Sequence, residues 1–184
     1  CSQEEIESIT GVMLVSFHNL NEQMKLQNQF SCALWKLPAS NGISSLTRLE
    51  LIKNEMDTMK KTPTLVAIYW IMAVAFSIFP ATITGKLFTG KGMSMATSNM
   101  IGPQQELVLW GDVVDNMVFW VPNRAPCGVG FSVLSNKGVI RAALNVDEAF
   151  IHSTIEAQKF LEDFESELYV LNDALQNQEG RKDR

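Results

Sequence analysis

Hydrophobic and polar positions along this chain follow two different periods, and the changes between them mark out its elements. Gly11–Phe17, GVMLVSF, is a short apolar run rich in β-formers and predicts a strand. Asn19–Asn28 is polar and reads as a loop. Phe30–Leu37 alternates, with Phe30, Cys32, Leu34 and Lys36 on one face and Ala33, Trp35 and Leu37 on the other. That spacing predicts a strand, ended by Pro38 and followed by the turn pair Asn41-Gly42. Between Ser44 and Lys61, Leu49, Ile52, Met56 and Met59 recur at three- and four-residue steps, with Leu46 one turn earlier. Arg48, Lys53, Asp57 and Lys60 lie off that stripe, so the segment is an amphipathic helix with Ser44 or Ser45 as its cap.

Thr62-Pro63 ends this helix and opens the next, because proline suits a first helical turn. The longest apolar run follows, Leu65–Phe79, LVAIYWIMAVAFSIF, bracketed by Pro63 and Pro80. As a helix it spans about 22 Å, short of the ~30 Å hydrocarbon layer of a bilayer. A buried core helix is the expectation, and a helix lying in or on a membrane surface is the alternative. Ala81–Phe88 adds a short third helix before Gly90 and Gly92.

The period then returns to two. Met93–Met100 is a candidate strand before Gly102-Pro103. Leu107–Trp110 and Val113–Val121 are predicted strands around Gly111-Asp112, and Asn123–Pro126 is a loop. Cys127–Leu134 alternates Cys127, Val129, Phe131 and Val133 against Gly128, Gly130, Ser132 and Leu134. Ser135-Asn136-Lys137-Gly138 closes it as a hairpin onto Val139–Val146. Asp147 is expected to cap a long final helix to about Leu175, with Leu161, Phe164, Leu168, Leu171 and Leu175 as its apolar stripe. Residues 1–175 thus form one α/β unit, a mixed sheet with helices on one face, and 176–184 a disordered polar tail.

Composition changes this picture in three ways. The chain has 184 residues, 46% of them hydrophobic and 19% charged, which excludes a highly charged disordered protein. Net charge is -5, so nucleic acid is not an expected partner. The acidity is local: residues 147–184 hold 10 acidic and 4 basic residues, the wet face of the last helix. Cys1, Cys32 and Cys127, an odd number without close spacing, give neither a disulfide framework nor a zinc site, and Cys32 and Cys127 read as small core residues. The chain opens on Cys1 without an initiator Met, which reads as a processed or partial chain.

Candidate chemistry is sparse. His18 and His152 stand in no metal-ligand spacing, and no metal is expected. There is no Gly-x-Ser-x-Gly elbow and no Walker loop. Gly128-x-Gly130 lies inside a strand and marks close approach of the backbone to another group rather than a nucleotide site. One segment stands apart: Thr97-Ser98-Asn99-Met100-Ile101-Gly102-Pro103 places hydroxyls and an amide at a strand end before Gly-Pro. Such donors can hold an oxyanion, and equally can form a polar turn that bonds its own backbone.

Four segments occur in one order: KNEMDTMKKTP (53–63), the apolar helix ending at Phe79-Pro80, SNMIGPQQELVLWG (98–111) and GVGFSVLSNKGVIRAALNVD (128–147). Together they resemble the C-terminal region of the wax ester synthase/diacylglycerol acyltransferase family over about residues 11–172. The family's Ser-Asn-Val-Pro-Gly-Pro stands here as Ser98-Asn99-Met100-Ile101-Gly102-Pro103, a departure at two positions.

The resemblance implies half of a coenzyme-A-dependent acyltransferase fold, similar to chloramphenicol acetyltransferase, in which two α/β halves flank a tunnel. It implies acyl-CoA as substrate rather than cofactor, a long-chain alcohol or diacylglycerol as acceptor, and the N-terminal catalytic half as partner. The general base would be a His of a His-His-x-x-x-Asp-Gly motif in that half. No His-His pair occurs in this sequence, so no catalytic residue is assigned to His18 or His152 and the chain alone is expected to be inactive. Thr97, Ser98, Asn99, Gly102 and Pro103 are the residues expected to support the tunnel or the interface between halves. A membrane surface, of the endoplasmic reticulum or plasma membrane, is a further expected partner. Two other readings stay open: a silent lipid-binding or interaction module of the same fold, and a small membrane-anchored protein.

Overall fold

A computed structural model describes residues 8–17, 29–40, 42–87, 92–122 and 127–182. The element order is β1 (Ser8–Ser16), β2 (Phe30–Pro38), α1 (Ser45–Lys61), α2 (Thr64–Ile78), α3 (Ala81–Leu87), β3 (Met95–Ile101), β4 (Val108–Leu109), β5 (Asp112–Val113), β6 (Val129–Asn136), β7 (Val139–Val146) and α4 (Thr154–Lys182). Five strands form one sheet in the order β2-β1-β3-β6-β7, and β4-β5 is a separate two-stranded hairpin. β1, β3 and β6 run parallel, while β2 and β7 lie antiparallel on the two edges. The sheet is therefore mixed, as the pattern predicts.

Register fixes which side chains share a face. Gly11 pairs with Trp35 and Met95, Met13 with Ala33 and Thr97, Thr97 with Phe131, and Phe131 with Leu144. This face carries the helices. Ser31 Oγ donates to Leu65 O of α2 at 2.8 Å. The Phe131 ring meets Phe164 of α4 at a 4.9 Å centroid separation and Phe160 at 6.1 Å. Edge-to-face contacts of this kind add about 0.5–1.5 kcal/mol each to their burial. α1 is tied to the sheet edge, where Glu55 Oε1 accepts the outward N–H of Lys36 on β2. An edge N–H that would otherwise face solvent is thereby paired.

Two glycines let rings approach the backbone. A Cβ at Gly11 would stand 2.7 Å from Trp35 Nε1, and one at Gly128 would fall 2.1 Å from the Phe150 ring. The second explains the glycine within the strand pattern before β6: the backbone there is the seat of an aromatic side chain.

Among the described residues the opposite face carries no helix. Over β6 and β7 it is crossed by residues 114–122, an irregular strap. Ser132 Oγ donates to Phe119 O, Asn145 Nδ2 donates to Val121 O at 3.3 Å, and Arg141 donates to Asn116 Oδ1. This corrects the strand predicted at Val113–Val121. Only Asp112–Val113 pairs, because the next carbonyls bond side chains of the sheet beneath rather than a neighbouring strand.

Three further expectations change. The final helix starts at Thr154, not at Asp147. Asp147 instead closes a turn, accepting from Ala149 N through its carboxylate, and Ser153 Oγ caps the helix by accepting from Glu156 N at 3.2 Å. The sequence Ser153-Thr154-Ile155-Glu156 is a capping box in outline, with the Glu156 carboxylate reaching His152 N. Helical backbone continues beyond Leu175 to Lys182, since only Gly180 weakens it. Most consequentially, α2 is not a core helix: Met72 alone is buried, and its outer side is open. Among the described residues no single helix is long and apolar enough to cross a membrane.

Candidate functional site

The three parallel strands all end on one edge of the sheet, at Ser16, Ile101 and Asn136. Ligands of open α/β sheets gather beyond such carboxyl ends. The segment singled out in the sequence, Thr97–Pro103, runs from the middle of the central strand β3, where Ser98 is the fourth of its seven residues, into the first turn after it.

Strand alternation distributes these residues. Thr97 and Asn99 point to the helix face, Ser98 to the helix-free face. Thr97 is buried and its Oγ1 donates to Val12 O at 3.3 Å, so its hydroxyl serves the β1–β3 junction. Asn99 is exposed. Ser98 is half-buried, and among the described residues no side-chain hydrogen bond engages its hydroxyl. Gly102 is not a flexible hinge but a point of contact: its N–H donates to Ser135 O at 2.8 Å, and a Cβ there would stand 2.8 Å from the same carbonyl. Pro103 is exposed beside it. The segment thus splits over two faces, and Ser98 is separated by the sheet itself from Thr97 and Asn99.

The surroundings of Ser98 are the informative part. Beside it on β6 is Ser132, held under the strap. On its other side the same face is bare and apolar. Leu34 is 58% exposed, Met100 50% and Leu14 43%, with Phe30 close to these values. Leu14 pairs with Cys32, and Val12 with Leu34 and Ala96, so these side chains form one surface across β2, β1 and β3. The helix-free face therefore offers a hydroxyl at the boundary between a covered half and an uncovered apolar half. Sequence reasoning found Ser98 from the Ser-Asn-x-x-Gly-Pro segment; it missed the strap, which carries no strand or helix period.

Cys32 lies half-buried on this face, and burial pushes its thiol pKa up. Cys127 is buried at the start of β6; burial raises its pKa too, opposed by its hydrogen bond to Val129 O. Neither thiol is therefore an activated nucleophile. His152 is exposed, its Nδ1 2.8 Å from Glu148 O. His18 and Cys1 lie outside the described residues. Among the described residues no three His, Cys, Asp or Glu side chains gather where a metal could be held.

The described residues thus form a five-stranded mixed sheet with helices on one face and a strap over part of the other. The family model of the WS/DGAT C-terminal domain matches residues 26–172, and the chain belongs to that family. It is a member of the wax ester synthase/diacylglycerol acyltransferase proteins, a family of acyltransferases. No curated protein and no solved structure matches the chain.

Proposed function

We propose that this chain is the C-terminal part of an acyl-CoA-dependent O-acyltransferase that esterifies a long-chain alcohol or diacylglycerol. In this reading the fold is one half of a chloramphenicol acetyltransferase-like enzyme. A histidine of the N-terminal half removes the acceptor's hydroxyl proton, the alkoxide attacks the thioester carbonyl, and the tetrahedral intermediate expels coenzyme A as its thiol. No cofactor takes part; acyl-CoA is a substrate.

The observation that carries this reading is the position of Ser98. Its hydroxyl is half-buried, with no side-chain hydrogen bond among the described residues, in the middle of the central parallel strand, beside a bare apolar surface suited to an acyl chain or to the facing half. In this reading Ser98 Oγ–H donates to the developing oxyanion or orders the interface. Asn99, on the other face, supports the strand end. Thr97 and Gly102 hold β3 to β1 and β6, and Pro103 fixes the exit of the chain.

The test is Ser98→Ala and Asn99→Ala in the full-length enzyme, with turnover measured on acyl-CoA and a long-chain alcohol. Loss of an oxyanion donor lowers turnover about 100- to 1000-fold. Wild-type turnover in both variants overturns the proposed role. Ester formation by these 184 residues alone would overturn the assignment of the base to another half. A full-length protein that binds acyl-CoA without turning it over would favour the alternative, a silent lipid-binding module.

A further inference from the structure

β2 is an edge of the five-stranded sheet, and two hydrogen bonds fix which of its main-chain groups point outward. Lys36 N donates to Glu55 Oε1 of α1 at 2.8 Å, so it points away from β1. Phe17 N donates to Gln29 O at 2.9 Å across the β1–β2 pair, which puts the inward groups at odd-numbered positions. Main-chain groups alternate in direction along an antiparallel pair. The N–H and C=O of Cys32 and Leu34 therefore point outward as well. Among the described residues no hydrogen bond engages these outward groups. Glu55 covers Lys36, and Pro38 closes that end of the strand, but the protection stops there.

The helices leave room beside this edge. A groove of about 530 Å³ lies between β2, α1 and the start of α2. Ala33, Met59, Leu65 and Ile68 give it apolar walls. The hydroxyls of Thr58 and Thr62, which also line it, donate to carbonyls of α1 itself, Asn54 O and Met59 O. Among the described residues lining the groove, Glu55 alone is charged. Its bond to β2 uses Oε1, and Oε2 is open to a cation.

These features select one kind of occupant. Donors and acceptors spaced along an open strand edge are matched by another extended main chain; an acyl chain offers neither. Apolar walls beside that edge accept every second side chain of such a strand. A carboxylate at the Lys36 end favours a basic residue there. We propose that the β2 edge and the adjoining groove bind an extended peptide segment of another protein. The segment adds to the sheet beside β2, places alternate apolar side chains in the groove and sets a Lys or Arg against Glu55. The groove lies on the side of the helices, and the sheet separates it from Ser98, so this binding does not rest on the proposed acyl transfer.

The probe is a library of fluorescein-labelled hexapeptides with Val, Leu, Ile or Phe at alternate positions, Thr between them and Lys or Ala at one end. Binding to the full-length protein is read by fluorescence anisotropy. The tightest member is then N-methylated at every second amide. One alternating set of methyl groups lowers affinity about tenfold or more, and the other leaves it within about twofold, because only one set of peptide amides faces β2. Leu34→Pro removes an outward N–H at a place where an edge strand tolerates proline, and lowers affinity about tenfold. Thr58→Phe fills the groove from an exposed helical position and lowers it at least as much. Glu55→Gln keeps an acceptor for Lys36 N and lowers affinity about two- to fivefold, only for peptides that carry Lys. Circular dichroism confirms the fold of each variant; if Leu34→Pro does not fold, Thr58→Phe and the methylated peptides decide. The proposal is overturned if no library member binds, if both methylated sets bind alike, or if Thr58→Phe binds as the wild type does. Dimerisation of the wild type that Thr58→Phe abolishes, without peptide binding, would overturn it in favour of a second copy of the chain.

Discussion

Ser132 Oγ, in the middle of β6, donates to the main-chain carbonyl of Phe119, and this bond anchors the strap to the helix-free face. The same oxygen lies 3.3 Å from Ala143 O on the next strand, so one buried hydroxyl sits where strap, β6 and β7 meet. Ser132→Ala leaves the part-buried Phe119 carbonyl without its donor, at a cost of about 1 kcal/mol. The expected result is a lower denaturant midpoint with an unchanged slope, and faster amide exchange confined to residues 114–122. Unchanged exchange there would mean that Asn145 and Arg141 hold the strap by themselves.

Two glycines that look alike in sequence predict opposite signs. Gly102 abuts Ser135 O, a backbone atom that cannot move aside without shifting β6. Gly102→Ala is expected to destabilise by about 1–3 kcal/mol through forced displacement of the strand end. Gly85, inside α3, has open space where a Cβ would stand. Gly85→Ala is expected to stabilise by about 0.5–1 kcal/mol, since alanine loses less backbone entropy in a helix. Thermal unfolding of the two variants side by side checks the pair; equal shifts would contradict it.

These examples show what the sequence makes legible. The apolar stripe Leu49–Ile52–Met56–Met59 and the Ser44 cap define α1, whose Ser44 Oγ does accept from Thr47 N at 3.2 Å. Strict alternation in β6 and a turn pair define the β6–β7 hairpin, where Asn136 pairs with Val139 around Lys137-Gly138. Helices, strands and tight turns are periodic or chemically marked, so they can be read. The strap cannot, because its order comes from Ser132, Asn145 and Arg141, which are distant in sequence. Nor can the exposure of α2. A run without charged residues reads as a core helix, and its spacing does not show that Val66, Trp70, Ile71 and Ile78 lie on an open side. In β3, Ser98 and Asn99 are adjacent letters but opposite faces, a separation that follows once the strand is placed in the sheet.

Both hairpin turns use a non-glycine residue in left-handed backbone. Lys137 has φ 50° before Gly138 at 75°, and Trp110 has φ 52° before Gly111 at 95°. Two-residue turns of this kind favour Asn-Gly, and other side chains are strained there. Lys137→Asn is expected to stabilise by up to about 1 kcal/mol. The ion pair of Lys137 with Glu106, at 3.6 Å and largely exposed, offers little to offset this. Trp110→Asn should behave the same way, because Trp110 is 99% exposed and loses no burial. A lower melting temperature in either variant would show that the replaced side chain contributes contacts outside its turn.

The two thiols supply a prediction with a defined pH sense. Burial raises the pKa of Cys32 and, against its bond to Val129 O, that of Cys127. A raised folded pKa means that the unfolded chain gives up these protons first, near an ordinary thiol pKa of about 8.5. The folded state then binds more protons than the unfolded state, so stability is intact below that pH and falls as pH rises through it. Lysines and tyrosines also titrate in alkali, so the informative quantity is the difference between wild type and the Cys32→Ala/Cys127→Ala double variant. Denaturant midpoints from pH 7 to 9.5 should fall more steeply in the wild type. At pH 8, alkylation of both cysteines by iodoacetamide should be slower than that of a cysteine in an unfolded peptide, because less thiolate is present and access is restricted. Rapid alkylation of Cys32 would instead mean that the edge strand β2 detaches readily from β1.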